Sequence, residues 1–552
     1  MHVLFRGAPP RSPLLQLCAA GSLLACVGAA SAQAQALAPA QIDPAALQRQ
    51  EQERQRQLAQ PAQPAASPAP VVQAEPAPAA APAASAGTRF MLRQVVFSPS
   101  AFLDSQTLDG IAARYTGREA DFATLSQLLD EVNAAYRQQG VLTGRAVLPP
   151  QKIGAGSVRI DLVEARLGEA RVLGTTYSRP GYLAGLVAGD AGQTIDTREL
   201  AERIRRFNRA GSVQLDANLR PGASFGLTDL LLNAREPSRY QARVFANNEG
   251  SRNIGREQLG VDAALNGPAG IGDRLALYLT RSRGATLGSL SYALPVNRWG
   301  GHVSTSYNLG ATDVVAGPYR ALDISGRSRA FQLAAVQPVW ERGAWYIDLA
   351  ATVGRTRSDN QVAGAPLSDT TIVNQTFGAT FAGATEQRSL SLTATASHAR
   401  ASSVGAKKRD IDLRQIAASW VENAGTGQFA LARLSAQDTD DAVIAPSLLF
   451  QVGGVASVRG YDVGVLSGDR GFTLNLEFHR SLIEGLTVYT FYDVGQVRTE
   501  GLPNQTARAA GLGLDGQWGR SLQYNVSAGR ALTTLVPDQH RWRVTARVSW
   551  SL

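Results

Sequence analysis

The residues best placed to do chemistry are an arginine and an aspartate. Val458-Arg459-Gly460-Tyr461 lies in a long glycine-rich stretch that also holds Gly453-Gly454 and Gly468-Asp469-Arg470-Gly471. Phe491-Tyr492-Asp493-Val494-Gly495 follows on a later segment. An arginine amid glycines on a long loop can fold back into an interior, where its charge needs a carboxylate partner. The predicted chemistry is a buried guanidinium–carboxylate pair between loop and wall. Two motifs that look catalytic fail on their surroundings. Gly222-Ala223-Ser224-Phe225-Gly226 matches G-x-S-x-G but sits in a hairpin between expected strands, not at a strand-to-helix turn. Gly511-Leu512-Gly513-Leu514-Asp515-Gly516 matches G-x-G-x-x-G but runs into another strand, so no helix end meets a phosphate. The five histidines (His2, His302, His398, His479, His540) have no metal-ligand spacing. Without paired carboxylates, a triad or a P-loop, the reading is of a protein that is not an enzyme and needs no cofactor or metal.

The elements that must position the pair are strands. From residue 238 to 552 the pattern alternates with period two, and sixteen strands are expected, starting near 239, 257, 273, 287, 301, 328, 344, 372, 388, 411, 427, 472, 486, 509, 521 and 541. Odd-numbered connections include long ones at 310–327, 355–371, 399–410 and 436–471, whereas even-numbered ones span about five to seven residues. In the last strand Trp542, Val544, Ala546, Val548, Trp550 and Leu552 share one face, and Arg541, Arg543, Thr545, Arg547, Ser549 and Ser551 the other. Phe472, Leu474, Leu476 and Phe478 oppose Thr473, Asn475, Glu477 and His479 in the same way. One-sided loop lengths with apolar-out, polar-in strands predict an antiparallel transmembrane β-barrel. A soluble β-sandwich would also alternate but would not sort its loops by length. All seven tryptophans fall in this region, as interfacial girdles require.

The N-terminal part has four pieces. Residues 1–32 read as a signal peptide, with Arg6 and Arg11, an apolar stretch from Leu14 to Ala30, and an Ala30-Ser31-Ala32 cleavage site. A rival reading makes Cys26 a lipoprotein site. Within 33–60, residues 42–60 predict an isolated helix that Asp43 can cap; it is polar all round, so it is either a solvated segment or a helix inside a wet cavity. Residues 61–88 are a Pro/Ala-rich tether able to reach on the order of 85 Å. Residues 89–165 and 166–237 repeat one β-α-α-β-β order, an α+β unit whose open sheet leaves an edge free for an added strand.

Composition limits the partners. The chain has 552 residues, 44% of them hydrophobic, and a formal charge of +9. Lys152, Lys407 and Lys408 are the only lysines among 54 basic residues. The arginines are spread over alternating strand positions and loops rather than gathered in one stripe, which argues against nucleic acid. Cys18 and Cys26, both inside the signal peptide, leave a thiol-free mature chain, suited to an oxidising periplasm.

Taken together, these features resemble the outer-membrane translocators of two-partner secretion, the haemolysin secretion/activation or filamentous-haemagglutinin transporter type. The resemblance spans essentially the whole mature chain. Further matches are Tyr136-x-x-x-Gly140 followed by Thr143, Arg145, Pro150-Gln151 and Gly156, then Asn208-Arg209, Leu219-Arg220-Pro221-Gly222, Asn247-Asn248-x-Gly250 and Gly272-Asp273. It implies a plug helix, a linker, two periplasmic POTRA domains and a sixteen-stranded barrel in the cell outer membrane. Arg459 becomes the loop-six arginine within Val458–Tyr461, and Asp493, with Phe491 and Gly495, its barrel-wall partner. The implied function is export of a large unfolded exoprotein of adhesin or haemolysin type, alone or together with activation. Implied partners are that exoprotein, outer-membrane lipid and the barrel-assembly machinery that inserts such proteins. The alternatives are an assembly factor for other β-barrels, expected to carry more POTRA repeats, and a passive porin, which needs none. One departure stands out: the chain ends in Leu552 rather than an aromatic residue.

Overall fold

The computed structural model describes residues 43–59, 72–74, 89–404, 407–441, 444–536 and 539–552. The expected signal peptide, both cysteines and all of the tether except 72–74 lie outside the described residues.

Helix α1 (Pro44–Ala59) and strand β1 (Val72–Ala74) precede two small domains. The first contains β2 (Phe90–Leu92), β3 (Gln94–Phe97), α2 (Ser105–Ala113), β4 (Arg118–Ala120), α3 (Phe122–Gln138), β5 (Gly144–Val147) and β6 (Ser157–Glu164). The second contains β7 (Arg166–Leu173), α4 (Pro180–Val187), α5 (Thr197–Ala210), β8 (Gln214–Pro221) and β9 (Leu227–Arg235). Aspartates set the helix starts: Asp104, Asp121 and Asp196 each accept a hydrogen bond from a backbone N–H of the first turn, at 2.6, 2.9 and 2.8 Å. The apolar faces of α2 and α3 bury Leu108, Ile111, Leu125, Leu128 and Val132 against Val158, Ile160 and Leu162 of the sheet. In the second domain Leu183, Val187, Leu200 and Ile204 cover Leu215, Ala217, Leu230 and Leu232.

Two details differ from the sequence reading. The single strand expected over Met91–Phe97 is broken at Arg93, so that β2 pairs with β4 while β3 runs parallel to β6. More consequentially, the edge of the second domain is not free. Its sheet has the order β1-β8-β9-β7, with β1 from the tether laid parallel on β8, Val72 opposite Ala217. Val72 supplies apolar area to the domain core, which an all-polar tether segment could not do.

The barrel closes through β10 (Tyr240–Asn247), β11 (Gln258–Asn266), β12 (Arg274–Arg281), β13 (Ala285–Pro295), β14 (His302–Asp313), β15 (Ile324–Arg342), β16 (Trp345–Val362), β17 (Ala365–Ala384), β18 (Arg388–Ser403), β19 (Arg409–Gly425) and β20 (Gln428–Thr439). After a loop that carries the two-stranded ribbon β21 (Phe450–Val452) and β22 (Leu466–Gly468), it continues through β23 (Arg470–Ile483), β24 (Leu486–Arg498), β25 (Gln505–Trp518), β26 (Leu522–Ala531) and β27 (Trp542–Ser551), and β27 pairs with β10. All sixteen expected strands are present. The loops are shorter than expected where strands run on past the membrane band. The seventh connection is only Ala363-Gly364, because β16 and β17 stay paired through the stretch read as a loop at 355–371. Several connections on the opposite side shrink likewise, to Gly343-Ala344, Thr426-Gly427 and Glu484-Gly485. Trp542, Val544, Val548 and Trp550 are exposed and Thr545 and Ser549 buried, as the alternation required. The tryptophans form a one-sided girdle: Trp299, Trp340, Trp345, Trp420, Trp518 and Trp550 lie at the ends nearest the small domains, and Trp542 at the other.

Candidate functional site

Loop six, residues 440–469, turns inward, and its tip meets the inner face of β23–β26. The Arg459 guanidinium forms a two-point contact with Asp493, Nε to Oδ2 at 2.8 Å and Nη2 to Oδ1 at 2.7 Å, and the Arg459 backbone N–H donates to Oδ2 at 3.0 Å. Its third nitrogen, Nη1, lies 2.8 Å from Glu477 Oε1. The guanidinium carbon stacks 3.7 Å from the Phe491 ring centroid. Arg459 is 8% exposed and Asp493 0%, so each charge depends on the other for compensation. Asn475, opposite Asp493 across the β23–β24 pair, donates to Asp493 Oδ1 at 2.8 Å and also to the Ser457 carbonyl.

Each residue of the two motifs has a steric or polar reason. Val458 is fully buried against the wall, and Gly495 is glycine because a Cβ there would sit 2.6 Å from Val452 and 2.8 Å from Val458. Gly460 adopts φ +94° with its backbone against Gly529–Ala531, a conformation and a proximity that a side chain would oppose. The Tyr461 hydroxyl lies 2.8 Å from the Arg508 carbonyl and 2.9 Å from that of Thr533, and accepts the Thr533 N–H at 3.0 Å. The glycine run at 511–516 is also explained. A Cβ at Gly511 would strike Phe491, at Gly513 Tyr489, and at Gly516 Tyr524, so these glycines open the wall for aromatic rings.

Sequence reasoning missed Glu477, Asn475 and His479 as members of this site. Their parity was legible, since all three share the lumen face of β23. Their register opposite Asp493, Phe491 and Tyr489 was not. His479 is stacked between Phe429 and Tyr489, at 4.4 and 4.8 Å between centroids, with Nε2 2.7 Å from Glu477 Oε2.

Helix α1 lies within the barrel, bonded to its wall and to loop six. Asp43 caps it and accepts from Ser358 Oγ at 2.9 Å, and Gly310 and Gly326 leave room for Pro44. Gln48 donates to the Gly288 carbonyl at 3.2 Å, Gln50 to that of Gly453 at 3.1 Å and Gln57 to that of Ala456 at 3.0 Å. Arg54 holds Glu51 at 2.8 Å and also meets Glu249 just after β10. The mostly polar helix thus lies in a polar cavity, as the second alternative had it, but its first turn is not polar all round: Ala45, Ala46 and Leu47 are buried, Leu47 against Ile254, Ala285 and Leu287.

The POTRA-motif residues are dispersed. The buried Tyr136 hydroxyl donates to Glu164 Oε1 at 3.0 Å, and burial raises its pKa. Gly140, at φ +75°, brings the α3–β5 turn against α5, where Thr197 Oγ1 donates to its carbonyl and Arg198 Nη2 donates to that of Gln138 at 3.2 Å. Gln151 pairs its amide with both backbone groups of Arg159, at 2.7 and 2.8 Å. Arg145 and Pro150 are solvent-exposed and apart from this cluster.

A closed sixteen-stranded barrel entered by an inward loop and preceded by two small α/β domains defines an outer-membrane translocator with periplasmic POTRA domains. The model of the haemolysin secretion/activation protein family ShlB/FhaC/HecB matches residues 226–517, and that of the ShlB-type POTRA domain matches 90–165. The chain belongs to this family of two-partner secretion transporters, whose members act in transport. The heme/hemopexin transporter protein HuxB of Haemophilus influenzae is 24% identical over 83% of this chain and 86% of its own. The outer membrane transporter CdiB of Dickeya dadantii is 25% identical over 34% of this chain and 33% of its own. Among solved structures, CdiB from Escherichia coli superimposes with a TM-score of 0.68 at 21% identity, covering 92% of this chain and 98% of that one. BamA from Haemophilus ducreyi, lacking POTRA domains 1–3, gives 0.53 at 13% identity over 84% of this chain and 100% of its own, and shares the fold.

Proposed function

We propose that this protein exports one large, unfolded exoprotein of adhesin or haemolysin type through its barrel, without nucleotide hydrolysis. The observation that carries this reading is that a single tether occupies both stations of the route. Its strand β1 lies on the β8 edge of the second POTRA domain, and the helix before it lies in the lumen. An exoprotein segment that takes the β8 edge by strand addition displaces β1, and the freed tether lets α1 leave the pore. Residues 1–32 serve as the signal peptide, 33–60 as the plug region and 61–88 as the tether. The Arg459–Asp493 pair fixes loop six to the wall while the plug is in place. Outer-membrane lipid contacts the apolar outer face, and the barrel-assembly machinery inserts the chain.

Depletion in the producing cell tests this. One large polypeptide should vanish from the medium and surface while the other β-barrel proteins of the outer membrane keep their amounts. A general loss of β-barrel proteins would instead favour the assembly-factor reading.

A further inference from the structure

The β8 edge is open over a very short window, and the window has a direction. Strand β8 has its buried residues Leu215, Ala217 and Leu219 on one parity. At one end, the Asn208 side chain takes both backbone groups of Leu215: the N–H donates to Oδ1 at 2.7 Å, and Nδ2 donates to the carbonyl at 2.9 Å. At the other end stands Pro221, which has no N–H to offer. What remains spans Ala217 to Leu219, the stretch that Val72–Ala74 covers. The corresponding edge of the first domain, β5, is narrowed by the same kind of device, the Ala146 N–H donating to Asn133 Oδ1 at 2.8 Å.

The two ends of the window face different places. The closed end adjoins the barrel rim: Arg209, next to Asn208, donates from Nη1 to Asp348 Oδ2 at 3.2 Å and stacks 3.7 Å from the centroid of Tyr346 at the start of β16. The Pro221 end lies away from the rim, at the start of the second domain: the Arg166 N–H, first in β7, donates to the Gly226 carbonyl of the 222–226 hairpin at 2.9 Å. Because β1 is parallel to β8, its Val72 end faces the barrel rim and its Ala74 end faces away from it.

We infer that the exported polypeptide binds this window parallel to β8, in the register β1 now holds, so that its N-terminal side lies at the pore mouth. This rests on the proposed export function. The captured segment presents an apolar residue of about valine size where Val72 sits, over the small Ala217, followed by a polar residue at the exposed Gln73 position. An antiparallel strand would deliver the C-terminal side first. Parallel capture therefore commits the exoprotein to enter with residues N-terminal to its recognition segment leading.

The test is photo-crosslinking in producing cells with the full-length chain, using as probe the polypeptide whose export the depletion experiment identifies. Benzoylphenylalanine is placed in separate variants at Gln214 and at Arg220, and the attached exoprotein residues are mapped by mass spectrometry. The expected result is that the Gln214 adduct lies N-terminal, in the exoprotein, to the Arg220 adduct, by roughly the six residues that separate them on a strand. The reverse order overturns the polarity while leaving strand capture intact. Absence of adducts at both positions with export continuing overturns capture at this edge and, with it, that part of the export mechanism. If either variant fails to insert, the pair Asn218 and Ser224 is read by the same rule, Asn218 being nearer the rim.

Discussion

At the residue scale, a single guanidinium carries most of the loop-to-wall contact. Arg459 meets Asp493 at two points, Glu477 at a third and the Phe491 face from above. Arg459→Ala leaves the buried Asp493 without its cation, while Glu477 keeps Arg433 and His479, a loss on the order of 3–5 kcal/mol borne locally by loop six. Export should fall sharply while the barrel still inserts, as heat-modifiable migration on gels would report. Arg459→Lys should rescue little, because an ammonium cannot satisfy both carboxylates and stack on Phe491. Export at the full rate in the alanine variant would refute the role given to this pair.

Among the elements, the 176–178 loop of the second POTRA domain is pinned to the chain leading into β10 by one carboxylate. Glu236 accepts the backbone N–H groups of Thr176, Tyr177 and Ser178 at 2.7, 3.1 and 2.9 Å. Burial pushes its pKa up, but these hydrogen bonds outweigh burial and hold it below the ordinary glutamate value. A depressed carboxylate adds stability that is full above the unfolded pKa and is lost as pH falls through the folded one. Protease access to the 174–179 loop should therefore rise on acidification below the usual glutamate range. Glu236→Gln should show raised access already at neutral pH and a flatter acid dependence; an unchanged profile would dismiss Glu236 as the clasp. Helix α1 belongs to this scale too. Beyond the apolar contact of Leu47 with Ile254, Ala285 and Leu287 and the Arg54 ion pairs, its bonds to Gly288, Ser358, Gly453 and Ala456 are to groups that water could satisfy equally, so most of its contacts are individually weak. That suits a removable plug.

On the scale of the whole molecule, the helix in the lumen and the strand on the β8 edge belong to one N-terminal segment. Deleting residues 33–88 should raise single-channel conductance in planar bilayers several-fold and make the open state dominant. Unchanged conductance would mean that the lumen is closed by loop six rather than by α1. The strands of the β15–β19 wall stay paired into stretches expected as long loops, so this side of the barrel extends furthest as sheet.

Strand number, facing and the two α/β units could be read from the chain because period-two alternation and N-capping aspartates are local signals, set by backbone geometry within a few residues. Arg459 and Asp493 could be paired on a different ground, since a buried charge demands an opposite one and the loop and wall motifs offered this pair. Three things needed the tertiary structure. Glu477, Asn475 and His479 join the site only through cross-strand register, which a parity pattern leaves undetermined. The reach of β16 and β17 depended on pairing between polar residues that locally resemble a loop. The occupation of the β8 edge by Val72–Ala74 joins segments more than a hundred residues apart, and a Pro/Ala-rich tether carries no pattern that announces where it will dock.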